Sequence, residues 1–252
     1  MTDFEFYNPV RIFFGKNQIE KIASQIPSDS KIMLLYGGGS IFRNNVYNQV
    51  KEALKGYDIT EFGGIEPNPS YETCMKAVEI IKANNINFLL AAGGGSVIDA
   101  TKFIGAAALY SSGDPWDILE KEVPVTASLP IGVILTLPAT GTEMNRNAVI
   151  SRKSTSEKLA FSSQYSLPRF SVLLPEAAGF LPQNQVANGI VDAFVHVIEQ
   201  YLTYPVMHRS RIVLLKQYWQ YLSKKDPGLM PIRLITKPCQ ISCGVPQWRL
   251  TD

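Results

Sequence analysis

One segment, FLLAAGGGSVIDATK at residues 88–102, constrains the fold of this chain more than any other. An apolar run ends there in Gly93, Gly94, Gly95 and Ser96, and apolar residues then recur at helical spacing. This order predicts a buried strand, a tight turn and a helix. Because glycine lacks a Cβ, the backbone N–H groups of such a turn can approach a phosphate, and the N-terminus of the following helix attracts an anion.

The same pattern occurs earlier in the chain. The apolar run KIMLLY, residues 31–36, ends in Gly37, Gly38, Gly39 and Ser40. A glycine turn also occurs in α/β proteins for steric reasons alone, so one turn is weak support for a ligand. The second turn strengthens the interpretation that the chain binds phosphate groups.

The first turn also bears on the choice of nucleotide. NAD sites usually place a carboxylate near the end of a strand, where it holds the ribose 2′-hydroxyl group. Here the strand ends in glycines and Ser40, Arg43 follows one turn later, and no carboxylate comes before Glu52. The pattern therefore favours NADP(H) over NAD(H), with a plain strand–helix turn and a surface arginine as the alternative.

Strands and helices are predicted to alternate along most of the chain. The predicted strands are at residues 10–14, 31–36, 57–62, 88–92, 131–135 and 172–174. Predicted helices lie at 17–26, along Val46, Val50 and Leu54, at 71–83 and after Ser96, and residues 105–130 are predicted to hold a polar loop. The alternation predicts an α/β fold with a parallel sheet that helices cover on both faces.

Charge and composition exclude several classes of partner. The chain has 24 Lys and Arg against 22 Asp and Glu residues, so no electrostatic argument favours nucleic acid or an anionic membrane surface. No apolar run approaches the roughly 20 residues that span a bilayer. The first residues lack the order of a signal peptide, and Cys74, Cys239 and Cys243 make no disulfide framework. We therefore expect a cytoplasmic protein.

Polar residues follow the predicted strand at 131–135. Thr136, Thr140 and Thr142 surround Gly141 in the segment TLPATGTEMN. Their hydroxyl groups and the turn amides can contact a phosphate or a nicotinamide carboxamide, and an ordinary Ser/Thr turn is the alternative. Lys158 can reach an anionic cofactor, although an isolated lysine is more often only solvated.

A long helix is predicted over PQNQVANGIVDAFVHVIEQYLT, residues 182–203. Asp192 and His196 are four residues apart, so both side chains lie on one face of it. A carboxylate and an imidazole at this spacing can share a divalent metal ion. A pair that stabilises the helix is equally consistent with the spacing.

Taken together, these segments resemble the iron-containing alcohol dehydrogenase family, and most closely its NADPH-dependent aldehyde reductase and butanol dehydrogenase branch. They are spread over residues 8–205 in the family's order. The matching segments are NPVRIFFGK, LLYGGGSI, GGIEPNP, AAGGGSVIDATK, DPWDIL, LTLPATGTEMN, KLAF and QVANGIVDAFVHVIEQYLT. A dehydroquinate synthase or glycerol dehydrogenase relative would share the fold, but PATGTEMN and DAFVHVIEQ argue against that alternative.

The resemblance implies a dinucleotide-binding α/β domain over residues 1–178 and, from 179 to 206, the first helix of a helical, dehydroquinate synthase-like metal domain. It implies hydride transfer between NADP(H) and a short-chain alcohol or aldehyde, with an iron or zinc ion that polarises the carbonyl oxygen. Many family members are homodimers. Residues 37–40 would lie near the adenosine and 93–96 at the pyrophosphate.

For the reacting end, the resemblance implies that Asp99 and residues 136–142 lie near the nicotinamide, and that Asp192 and His196 are two metal ligands. The family supplies two further histidine ligands from later in the helical domain, whereas the other histidine here is His208, which comes too early. We therefore expect an incomplete metal site.

The resemblance stops after Val206. When residues 207–252 are back-translated and read one nucleotide out of phase, family-like sequence beginning DAPIQDR reappears. We expect this segment to be an out-of-frame tail with poor order. Two functional hypotheses follow, an NADP-dependent, metal-using alcohol dehydrogenase or aldehyde reductase, and a non-catalytic NADP-binding remnant.

Overall fold

The computed structural model of the chain describes Glu5 and residues 7–203. The chain divides into two compact units, Met1–Ala177 and Ala178–Asp252. The predicted out-of-frame tail at 207–252 lies outside the described residues.

The first unit is built on a sheet that, within the described residues, has six strands and only parallel pairings, in the order β1-β8-β5-β4-β2-β3. Its strands are β1 Arg11–Phe14, β2 Lys31–Tyr36, β3 Asp58–Phe62, β4 Phe88–Gly94, β5 Ile131–Leu137 and β8 Phe170–Leu173. Because helices cover both faces of a parallel sheet, its central strands are mainly apolar, and β4, β5 and β2 after Lys31 are almost completely buried. The predicted α/β fold is confirmed.

The helices of the first unit follow the strands in alternation. They are α1 Ser40–Arg43, α2 Val46–Ala53, α3 Tyr71–Asn84, α4 Gly95–Leu109 and α5 Asp117–Glu120, with α6 Pro175–Ala178 at the boundary between the units. The predicted helix at 17–26 is a 3₁₀ helix, Gln18–Gln25. Ser70 caps α3, since its hydroxyl oxygen accepts a hydrogen bond from the backbone N–H of Thr73.

The prediction of a polar loop within residues 105–130 is wrong in two places, because residues 105–109 and Asp117–Glu120 are helical. Helix α4 continues to Leu109, because the three preceding alanines, residues 106–108, favour a helix and are buried, and α5 adds a further turn. Gly105 permits close packing there, since a Cβ would lie 2.7 Å from the Oγ of Ser128.

Sequence reasoning missed a β-hairpin. The strands β6 Asn147–Arg152 and β7 Glu157–Ser162 pair antiparallel in a sheet of their own, and β6 packs against α4. The segment KLAF, which contains Lys158, is therefore part of a strand.

In the second unit the predicted long helix is confirmed as α7, Gln183–Thr203. Pro182 precedes its first residue, a position where a missing backbone N–H does no harm. No helix in the described part of the chain is long and apolar enough to cross a membrane.

Candidate nucleotide-binding site

The two glycine turns lie side by side at one edge of the sheet. Residues 37–40 follow β2, and residues 93–96 span the end of β4 and the start of α4; the two strands are hydrogen-bonded neighbours with Tyr36 opposite Ala92. In open parallel sheets, ligands bind outside the carboxyl ends of the strands. The fold thus brings residues 37–40 and 93–96 to the edge where a nucleotide is expected.

The turn at 93–96 combines close packing with an open helix end. A Cβ on Gly93 would lie 2.6 Å from Val97, and one on Gly95 would lie 2.8 Å from the Oγ1 of Thr140. Packing against the buried Val97 therefore explains the glycine at Gly93, whereas the close atom at Gly95 is the side-chain hydroxyl of the exposed Thr140. Gly94 is the N-cap of α4 and has no side chain to cap its first N–H groups, which suits an anion.

The turn at 37–40 is more open. A Cβ on Gly38 would meet no atom within 4 Å, and Gly39 has a φ of 96°, a conformation that favours glycine. Ser40 and Arg43 are both exposed. Close packing within the chain does not explain the glycine at Gly38, which leaves its backbone accessible to a ligand.

Asn68 joins two of the predicted site residues. The Nζ of Lys158 donates a hydrogen bond to the side-chain oxygen of Asn68 at 2.7 Å, and the backbone N–H of Asn68 donates to the Oγ of Ser96 at 3.3 Å. Asn68 has a φ of 55°, a left-handed conformation that asparagine tolerates. Sequence reasoning missed this residue, although the Asn-Pro pair in GGIEPNPS indicates a turn.

A buried polar network lies behind the second turn. The Thr142 hydroxyl donates to the Oδ1 of Asp99 at 2.6 Å, and the backbone N–H of Val149 donates to the Oδ2 at 3.0 Å. Burial raises the pKa of the Asp99 carboxyl, while these two hydrogen bonds and the charge of Lys102 oppose that rise. Thr142 is 3 % exposed.

Lys102 is the member of this network that sequence reasoning missed. Its side chain is fully buried and donates hydrogen bonds to Thr142, Asn145 and Asn147 at 2.8–3.0 Å. Burial lowers its pKa to about 8, and the negative charge of Asp99 acts in the opposite direction. The only signal in the sequence is its place three residues after Asp99 on the same helix.

The other two threonines differ in exposure. Thr136 is buried in β5, whereas Thr140 is exposed beside Gly95. The structure therefore places Thr140, but not Thr136, at an exposed position beside the glycine turn.

The predicted metal ligands belong to the second unit. The Nε2 of His196 lies 3.6 Å from the Oδ2 of Asp192 on α7, and both side chains are more than half exposed. Glu199 lies on the same helix, with its Oε2 3.8 Å from the Nδ1 of His196. A search of the described residues finds no group of three or more His, Cys, Asp or Glu side chains that could hold a metal ion.

Known proteins resemble the chain along most of its length. The family model for "Iron-containing alcohol dehydrogenase" matches residues 9–175. The NADPH-dependent aldehyde reductase YqhD of Escherichia coli is 53% identical over 210 residues, which are 82% of this chain and 54% of that protein. The NADP-dependent alcohol dehydrogenase 3 of Entamoeba histolytica is 50% identical over 208 residues, 80% of this chain and 54% of that protein.

Among solved structures, the NADH-dependent butanol dehydrogenase A of Thermotoga maritima is 36% identical with a TM-score of 0.82, over 96% of this chain and 63% of that one. The chain spans about half the length of the curated relatives it matches.

Proposed function

Because the chain belongs to the iron-containing alcohol dehydrogenase family, we propose that this protein is a metal-dependent oxidoreductase that transfers a hydride between NADP(H) and a short-chain alcohol or aldehyde. The observation that carries the proposal is the 53% identity to an NADPH-dependent aldehyde reductase over 82% of this chain. The two adjacent glycine turns at the carboxyl edge of the parallel sheet support it, since that edge is where a dinucleotide binds.

Each end of the dinucleotide has residues suited to it. Residues 93–96 and the N-terminus of α4 bind the pyrophosphate. Residues 37–40 lie against the adenosine, where the absence of a carboxylate and the charge of Arg43 accept a 2′-phosphate. Lys158 adds a positive charge near the second turn, because Asn68, which accepts its hydrogen bond, in turn donates to Ser96.

At the reacting end, the chain's own residues orient the nicotinamide. The residues proposed to contact the carboxamide are Asp99, whose carboxylate is oriented by Thr142 and Val149, and Thr140, which is exposed beside Gly95. We further propose that residues 1–178 form the dinucleotide-binding domain and that 179–206 begin a helical metal domain. A homodimer and a cytoplasmic location are part of the same proposal.

The residues proposed as metal ligands form part of a metal site. Asp192 and His196 offer an oxygen and a nitrogen donor on one helix face, which suit iron or zinc. An ion bound there supplies a Lewis acid that polarises the carbonyl oxygen. A catalytic site needs at least three protein ligands, and these two residues do not complete one.

The alternative candidate function is a chain that binds NADP(H) without turnover. The 252 residues contain two histidines, His196 and His208, whereas the family resemblance implies three histidine ligands. The two candidates predict the same nucleotide affinity and differ in activity.

The experiment measures both properties on the 252-residue chain. NADPH and NADH affinities are measured by calorimetry, and NADPH oxidation is followed with butanal after anaerobic loading with Fe²⁺ or, separately, Zn²⁺. The main proposal predicts metal-dependent oxidation that His196→Gln abolishes and the matched control His208→Gln retains. NADPH binding without oxidation supports the second candidate, and a folded chain that binds neither nucleotide overturns both. Sedimentation velocity tests the homodimer on the same sample.

A further inference from the structure

Lys102 carries a charge into the interior of the first unit. It lies on α4 with a side chain that is 0 % exposed, and burial of an unpaired ammonium group is strongly unfavourable. Four oxygen atoms surround its Nζ: the hydroxyl of Thr142, the carbonyl and side-chain oxygens of Asn145, and the carbonyl of Asn147. All four are uncharged, so no neutralising carboxylate is among these contacts.

The chemistry of the ammonium group fixes the direction of the next hydrogen bond. An ammonium group donates and never accepts, so Thr142 accepts from Lys102 at 2.8 Å. A hydroxyl group has one proton, which is then free to point at the Oδ1 of Asp99, 2.6 Å away. Lys102 thus holds the Thr142 oxygen in the position from which its hydroxyl group donates to Asp99.

The carboxylate of Asp99 is consequently held at both oxygens. Thr142 binds Oδ1 from the segment after β5, and the backbone N–H of Val149 binds Oδ2 from β6. Lys102 also donates hydrogen bonds to the carbonyl groups of Asn145 and Asn147. These bonds hold the start of β6 beside Asp99. Both donors to Asp99 therefore depend on the same buried ammonium group.

We propose that Lys102 is a positioning residue for the nicotinamide end of the cofactor, because it fixes Thr142 as the donor that orients the Asp99 carboxylate. The inference rests on the proposed function, in which Asp99 faces the nicotinamide. It assigns to Lys102 an effect on the reacting half of NADPH and none on the adenosine half.

The test compares two ligands on the full chain by calorimetry. NADPH contains the nicotinamide, whereas adenosine 2′,5′-bisphosphate contains only the adenosine half. We expect Lys102→Met and Thr142→Val each to weaken NADPH binding roughly tenfold, the loss of one charge-assisted hydrogen bond, and to leave the affinity for adenosine 2′,5′-bisphosphate unchanged. Thr142→Ser, which keeps the hydroxyl group, should bind NADPH like the wild type.

If Lys102→Met does not fold, Thr142→Val still tests the inference. It leaves three oxygen acceptors for the three N–H bonds of Lys102, so no buried donor is orphaned. Unchanged NADPH affinity in Thr142→Val overturns the inference, as does an equal loss for both ligands, which would indicate a purely structural role. A wild-type chain that binds neither ligand overturns the proposed function itself.

Discussion

The ammonium nitrogen of Lys158 lies 2.7 Å from the side-chain oxygen of Asn68, and this contact joins the β6–β7 hairpin to the loop before α3. The backbone N–H of Asn68 in turn donates to Ser96 in the second glycine turn. Lys158, which the sequence predicts as a cofactor-binding residue with a merely solvated side chain as the alternative, is therefore linked through Asn68 to the proposed pyrophosphate site.

Replacing Lys158 by methionine should weaken NADPH binding about tenfold, because a positive charge beside the phosphates is lost while the apolar stem is kept. Calorimetry at two salt concentrations measures this, and the variant should show the smaller salt dependence. Lys121→Met is the matched control, since Lys121 is an exposed lysine whose partner is Asp117, four residues earlier. Equal losses in both variants would contradict a specific role for Lys158.

Gly38 offers a test of ligand contact that is free of packing effects. A Cβ there would meet no atom within 4 Å, and Gly38 lacks the positive φ of Gly39, so alanine fits the folded chain. We expect Gly38→Ala to leave thermal stability unchanged or slightly higher and to reduce NADPH affinity about tenfold, because the methyl group occupies space that the nucleotide needs. Gly189→Ala on α7, also free of contacts, is the control and should bind NADPH normally.

The central sheet could be predicted from the sequence, and the hairpin could not. Strands β2, β4 and β5 are buried on both faces, so each is a continuous apolar run that ends at a glycine turn or a threonine. The hairpin strands alternate between exposed and buried residues and, within the described residues, pair with each other apart from one bridge between Ser151 and Ser70, so neither has the apolar run that marks the main sheet.

The candidate site was predictable where its residues are adjacent in sequence. Both glycine turns were found from the strand–glycine–helix order, which is local. The acceptors of Lys102 are 40 to 45 residues away from it, and Asn68 is 90 residues from Lys158. Contacts at such separations depend on how helix, hairpin and loop pack together, and local patterns in the sequence do not reveal that packing.

Ser40 should determine the choice between NADPH and NADH. It is exposed and is the first residue of α1, directly after the left-handed Gly39. Ser40→Asp places a carboxylate where the 2′-phosphate is proposed to bind, and repulsion should lower NADPH affinity relative to NADH about tenfold. Ser40→Asn has the same shape without the charge and should change this ratio much less. Equal ratios for the aspartate and asparagine variants, measured by calorimetry, would place the 2′-phosphate elsewhere.

Glu66 should make the stability of the first unit depend on pH. Burial alone would raise the pKa of its carboxyl, but hydrogen bonds, including those from Ser70, Lys153 and Thr73, outweigh burial and lower the pKa to about 2. The pKa of Glu66 in the folded chain lies below its ordinary value of 4.5, so the stabilisation is complete above pH 4.5 and disappears as the pH falls towards 2. Because the carboxylate is partly exposed to solvent, we expect it to contribute about 1 kcal/mol.

Urea unfolding of the wild type and Glu66→Gln at several pH values measures this contribution. The wild type should be the more stable protein by about 1 kcal/mol at pH 7, and the difference should shrink steadily below pH 4.5, because the protonated glutamate then resembles glutamine. Glu79→Gln, at an exposed position on α3, is the control for removing a carboxylate from the first unit. A difference that stays constant from pH 7 to 3 would mean that the hydrogen bonds from Ser70 and Thr73 do not depend on the charge of Glu66.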